Sequence, residues 1–180
     1  VAALAPKLTA GEQSRSMRQE TSSIEAYDFV LRGVALYYEF RKEPNAMARQ
    51  MFERAIALDP SYAKAYAWLS WTNFLDWEWQ WTEGPGGLDR ALEAASKAVA
   101  LDDSLSRAHT ALGWNSLWKK QHDVAIAELE RAVSLDPNSE WAYGNLGETL
   151  NFAGRPDEAI GFVKKAMRLD PNDSTWLPFL

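Results

Sequence analysis

Two histidines, His109 and His122, are the only imidazoles in the chain, and there is no cysteine. The missing thiols remove disulfides, thiolate metal sites and cysteine nucleophiles. His109 falls at the fourth position of a helical segment, a packing place, and His122 falls in a turn where water would surround it. Neither has a nucleophile at a motif spacing, and two imidazoles without a thiolate make a poor metal set. Gly84-Pro85-Gly86-Gly87 lacks the lysine and the following helix of a phosphate loop. The carboxylates are scattered over helix surfaces or close helices, as Asp59, Asp136 and Asp170 do. These residues predict no catalytic centre, no metal and no cofactor.

Binding chemistry is better represented. The chain has nine tryptophans in 180 residues, and they cluster, so they either fill a core or line a surface made for apolar contact. With 19 basic and 25 acidic residues the net charge is −6, and no basic stripe is visible. That balance argues against nucleic acid and against an anionic membrane surface. No apolar run approaches the roughly 18 residues of a membrane-spanning helix, which predicts a cytoplasmic protein. The chain begins at Val1 with too short an apolar stretch for a signal peptide, and it reads as a piece of a longer protein.

The elements that position the aromatics follow from an internal repeat. Ala55-Ile56-Ala57-Leu58-Asp59-Pro60 returns as Ala98-Val99-Ala100-Leu101-Asp102-Asp103, as Ala132-Val133-Ser134-Leu135-Asp136-Pro137 and as Ala166-Met167-Arg168-Leu169-Asp170-Pro171. Asp102, Asp136 and Asp170 follow at intervals of 34 residues, and Asp59 precedes Asp102 by 43, nine more. Within the units, Gly33, Ser70, Gly113 and Gly147 stand opposite Ala48, Ala91, Ala125 and Ala159. Small residues at those places let two helices approach closely while larger neighbours fill the rest. Proline after Leu-Asp stops each second helix, and Gly154 and Pro156 mark one helix end and the next helix start.

The period and pattern resemble the tetratricopeptide repeat. The resemblance implies an all-α, right-handed superhelical solenoid of antiparallel helix pairs, here four hairpins at 24–60, 61–103, 104–137 and 138–171. Helices are expected near 24–40, 45–58, 62–79, 88–101, 106–119, 123–135, 140–153 and 157–169. The first hairpin has a connecting loop about three residues longer than standard. Residues 1–23 read as the remnant of a preceding region and a polar linker (11–23), and 174–180 as the truncated start of a further helix.

The same resemblance implies that the first helix of each pair lines a concave face that receives a protein or peptide segment. Its facing positions fall on an aromatic set: Tyr37, Tyr38, Trp71, Phe74, Trp114, Trp118 and Phe152, with Asn145 and Glu148 beside them. Two readings stand: the rings pack between neighbouring helices, or they form an open apolar groove. Tetratricopeptide proteins that clamp chaperone C-termini use Lys, Asn and Arg in this groove. Here Val, Ala, Thr and Trp take those places, with Asn145 a partial match, so that partner is not expected. An aromatic face would also favour self-association.

The insertion from Trp77 to Gly87 prolongs a first helix and then breaks at glycines. Trp77 and Trp81, four apart, would share a helical face, with Trp79 turned elsewhere. The insertion is either a longer hairpin capped by its own rings or a hydrophobic lip beside the groove. Finally, Ala26 to Gly33, Leu58 to Tyr66, and Trp114 through Asp123 and Ala125-Ile126-Ala127-Glu128 resemble the C-terminal repeat regions of bacterial adenylate/guanylate cyclase-like proteins and related transcriptional regulators. The likeness spans about residues 8–180. It implies a catalytic or DNA-binding domain ahead of Val1, and a regulatory role for this segment. No cyclase metal-binding aspartates and no winged helix occur in it.

Overall fold

The structure is a computed structural model that describes residues 20–171, apart from 83 and 85. Residues 1–19 and 172–180 lie outside it, and with them most of the expected linker and the expected C-terminal stub. From residue 24 to 169 of the described chain, eight helices follow one another: α1 (Ile24–Tyr37), α2 (Lys42–Leu58), α3 (Ala63–Glu78), α4 (Gly87–Leu101), α5 (Ser106–Trp118), α6 (His122–Leu135), α7 (Glu140–Phe152) and α8 (Pro156–Leu169). There is no strand among the described residues. Each odd-numbered helix pairs tightly with the next, and each pair packs on the following pair. The odd-numbered helices also touch one another along the stack, α1 on α3, α3 on α5 and α5 on α7, which makes them the inner layer.

The close approach within pairs has the expected cause. A Cβ at Gly113 would lie 2.7 Å from Leu129 Cγ and 2.9 Å from the Ala125 carbonyl oxygen. One at Gly147 would lie 2.6 Å from Val163 Cγ2 and 3.2 Å from the Ala159 carbonyl oxygen. Ser70 occupies the same place in α3, and its hydroxyl uses the proximity by donating to the Ala91 carbonyl at 2.8 Å. Asn115 of α5 then donates to Ser70 Oγ at 2.7 Å, tying three helices through one hydroxyl.

The recurring aspartates end one helix and prepare the next. Asp59 Oδ1 accepts from Ser61 N at 3.0 Å, Asp102 Oδ1 from Ser104 N at 2.9 Å, and Asp136 Oδ1 from Asn138 N at 3.0 Å. Such turns satisfy backbone groups that a helix end leaves free. The turn forms equally where Asp103 replaces the proline. Ser61 and Thr21 hold the Asp59 carboxyl below the usual carboxylate range. The described end of the expected linker is therefore tied down: Thr21 donates to Asp59, and Glu20 accepts from the Tyr62 hydroxyl and from Lys64, each at 2.9 Å.

Two expectations about length change in detail. The extra residues of the first hairpin go mostly into an additional turn at the start of α2, around Pro44, and little into the loop. The long insertion lengthens α3 by one turn, and the rest forms the loop 79–86. At the base of that loop Asp76, buried, accepts from Asn45 at 2.9 Å and pairs with Arg49 of α2.

Candidate functional site

Burial divides most of the nine expected groove residues by their position along the inner helices; Tyr37, the last residue of α1, is the exception, buried against Tyr38 and Trp68. Trp71, Phe74 and Trp114 lie midway and are buried, with Tyr37 and Asn145. Their rings pack edge to face, Trp71 on Phe74 within α3 at 6.3 Å and, across helices, Phe74 on Trp114 at 5.9 Å and Trp71 on Trp141 at 5.7 Å. Here the packed reading holds, because adjacent inner helices sit close enough for rings to meet. Asn145 turns its amide back onto its own helix, donating to the Trp141 carbonyl at 2.7 Å.

Tyr38, Trp118 and Phe152 stay open, at 45%, 37% and 56% exposure. Phe40 and Trp79 join them at 50% and 61%, and all five stand at the C-terminal ends of inner helices. The open surface is therefore a strip along one edge of the inner layer. Its rings continue those of the core: Trp118 meets Trp114 at 5.9 Å, Phe74 at 6.1 Å, Trp77 at 5.6 Å and Phe152 at 6.1 Å. Tyr38 meets Trp68 at 5.8 Å and Phe40 at 6.3 Å. Each chain reversal along this edge uses a residue in the left-handed region: Phe40 (φ 48°), Gln80 (φ 51°), Lys120 (φ 61°) and Gly154 (φ 77°). Only the last is the glycine such a turn favours.

The insertion contributes differently from the expected helical pairing. α3 stops at Glu78, where Gln80 turns left-handed and Trp81 N bonds back to the Asp76 carbonyl at 3.0 Å. Trp81 is therefore off the helix, and it stacks with Trp79 (6.3 Å, 20° between planes), not with Trp77. Trp77 instead joins the strip through Trp118. A cleft of about 690 Å³ opens between the loop and α5, lined by Trp77, Glu78, Gln80, Thr82 and Trp118 among others.

Two carboxylates accompany the strip. Burial raises Glu78, the last residue of α3, above the ordinary glutamate range. Burial and then the charge of Glu78 push Glu148 up to about 7. Glu78 also adds to the upward shift that burial and Tyr38 impose on the Tyr37 hydroxyl, so it lies between the two groups of open rings. Sequence reasoning missed Glu78 and Phe40, because Glu78 falls in the added turn of α3 and Phe40 in the loop between α1 and α2, both outside the repeat register.

His109 is buried, Nδ1 2.7 Å from Glu128 and Nε2 3.0 Å from the Asp103 carbonyl, consistent with a packing place. His122 departs from the expected solvated turn: it is the first residue of α6, half-buried, and lines a cavity of about 240 Å³ with Trp118 and Phe152. The chain reverses tightly at Lys120, which draws the start of α6 against the ends of α5 and α7. No group of metal-ligating side chains occurs among the described residues, and no helix there is long and apolar enough to cross a membrane.

Comparison with known proteins agrees with this architecture. The tetratricopeptide repeat family model matches residues 119–177. Solved structures share the fold: pilF of Pseudomonas aeruginosa (TM-score 0.64, 22% identity, 83% of this chain and 63% of that one) and a thermophilic tetratricopeptide protein of Thermus thermophilus (0.60, 21%, 86% and 96%). MamA is similar as well (0.58, 23%, 89% and 86%). The chain has the fold of a tetratricopeptide-repeat solenoid. A putative adenylate cyclase of Rhizobium meliloti (strain 1021) is 37% identical over 98 residues, which is 54% of this chain and 17% of the cyclase. The solenoid thus spans a small part of that relative's length.

Proposed function

We propose that this solenoid is a protein-interaction scaffold, built from hairpins at 24–60, 61–103, 104–137 and 138–171, that holds an apolar or amphipathic segment against its edge strip. The observation that carries the reading is the concentration of exposed rings at the ends of the inner helices, with Trp118 and Phe152 in contact with each other. Scattered apolar residues on a surface need no explanation, but a contiguous aromatic patch backed by a rigid core is what binding sites share. Catalysis has no comparable support: His109 is held by Glu128 and the Asp103 carbonyl, and no nucleophile or carboxylate is paired with His122 among the described residues. The test is capture of partners from a bacterial lysate by the chain and by a Trp118→Ala, Phe152→Ala version with unchanged circular dichroism. Loss of a captured protein in the variant supports the strip, and equal capture by both sinks it.

The likeness to a putative adenylate cyclase favours one alternative, a regulatory or self-associating arm of a larger signalling protein. Mass in solution across a concentration series separates the two readings. A monomer at every concentration removes the self-association version.

A further inference from the structure

The strip is chemically uneven along its length. Around Tyr38 and Phe40 it is aromatic, and the nearby cation, Arg107, is spent on stacking over the Trp68 ring at 4.3 Å. Around Trp118 and Phe152 it is aromatic and anionic. Glu78 and Glu148 come from α3 and α7, from either side of α5, and neither makes an ion pair or hydrogen bond among the described residues. The cations around them are paired with other carboxylates or line other cavities. Lys119 at the end of α5 pairs with Asp89 of α4 at 2.6 Å, and Arg155 and Glu158 at the start of α8 pair with each other at 2.7 Å. Arg90 of α4 lines a second cavity with Arg49 and Lys97, and Lys120 lines a third, with His122 against Trp118 and Phe152, that neither glutamate enters.

That arrangement is unfavourable in the unoccupied chain for three reasons. Glu78 lines the cleft with Trp118, whose ring meets Phe152, and Glu148 stands one helical turn before Phe152, so two like charges flank the same rings; Glu148 is also partly buried, and Glu78 sits on the negative end of the α3 dipole. None of α1, α3, α5 and α7 has a basic residue in its last turn to offset that end. An amide or an alkyl group at either place would fold better. A cation would turn the same features into affinity, since ring faces and carboxylates both attract it.

We propose that this end of the strip receives a lysine or arginine side chain of the bound segment, with its charge between Glu78 and Glu148 and its alkyl stem along Trp77 and Trp118. The cleft of about 690 Å³ beside Trp77, Glu78 and Trp118 supplies the room. The occupant is therefore a basic amphipathic protein segment, whose apolar residues lie on Trp118 and Phe152. This inference rests on the scaffold reading above and adds the chemistry of the partner. The net charge of −6 draws such a segment in and repels acidic ones.

The probe is a synthetic amphipathic helix with a leucine face and a lysine face, titrated calorimetrically at pH 8 beside versions with glutamine or glutamate for every lysine. The lysine peptide is expected to bind at least about tenfold more tightly than the glutamine version. Glu78→Gln and Glu148→Gln are each expected to remove most of that preference. Glu93→Gln, which lowers the net negative charge equally but lies on α4 facing the other cavity, is expected to leave it intact. Equal affinity for the lysine and glutamine peptides, no binding of the lysine peptide, or equal weakening by Glu93→Gln overturns the inference. In the first of these cases the scaffold reading survives if Phe152→Ala still weakens both peptides, so the two claims fail separately.

Discussion

Trp114 and Trp118 are one helical turn apart on α5 and touch, yet the first is buried and the second is more than a third exposed. The middle of the inner layer is flanked by helices on both sides, so its rings close on one another. The ends of the same helices face a chain reversal, and nothing in the described part of the solenoid covers them. One residue type thus does two jobs, set by distance from the turn: stacking hairpins in the middle, and offering surface at the edge.

Substitutions at the two places should separate these jobs, and the largest effect is expected in the middle. Trp114→Ala leaves a void between α3 and α5 and should cost about 3–5 kcal/mol in a denaturant titration. A cost below about 1 kcal/mol would mean the middle rings are not core. Gly147→Val tests the backbone that sets ring spacing; crowding Val163 and the Ala159 carbonyl should cost about 1–3 kcal/mol, again by denaturant midpoint. At the edge, Phe152→Ala should cost no more than about 1 kcal/mol, since its ring is mostly exposed. Its consequence should appear in partner capture instead.

Glu148 should respond to pH in a direction opposite to most carboxylates. Its raised pKa, caused by burial and by Glu78, means the folded chain holds this proton more tightly than the unfolded chain does. Stability from this group is fully present below about 4.5 and is lost as pH rises through about 7. Glu148→Gln should therefore raise the melting temperature at pH 8 and change little at pH 4. The gain should be on the order of 1 kcal/mol, the full shift being discounted for the group's partial solvent screening. A variant no more stable at pH 8 would remove the strain argued for the empty strip. The smallest expected effect is at the turn itself: Lys120→Gly relieves a left-handed side-chain residue and should add about 0.5 kcal/mol, read as a small upward shift in melting temperature.

The fold was legible because the repeat is a local code. Gly113 opposite Ala125 and Leu135-Asp136-Pro137 specify a helix pair whatever lies elsewhere in the chain. The candidate site was legible only in part. Trp118 and Phe152 could be placed on the inner layer by counting, but their exposure could not be separated from the burial of Trp71 and Trp114. Glu78, Phe40 and the stacking of Trp79 on Trp81 lie in an added turn or a connecting loop, where the count loses register. Asn145 looked available for a ligand by position, yet its amide bonds to its own helix.

By itself the sequence determined the helices, their pairing and the aromatic character of the inner layer, because periodicity, small-residue spacing and stop signals act within about one repeat. Tertiary structure alone decided which rings close and which stay open, and that carboxylates from α3 and α7 meet at one edge. Those outcomes depend on how neighbouring hairpins stack and where each chain reversal leaves a helix end uncovered, and that distance is not written in any single repeat.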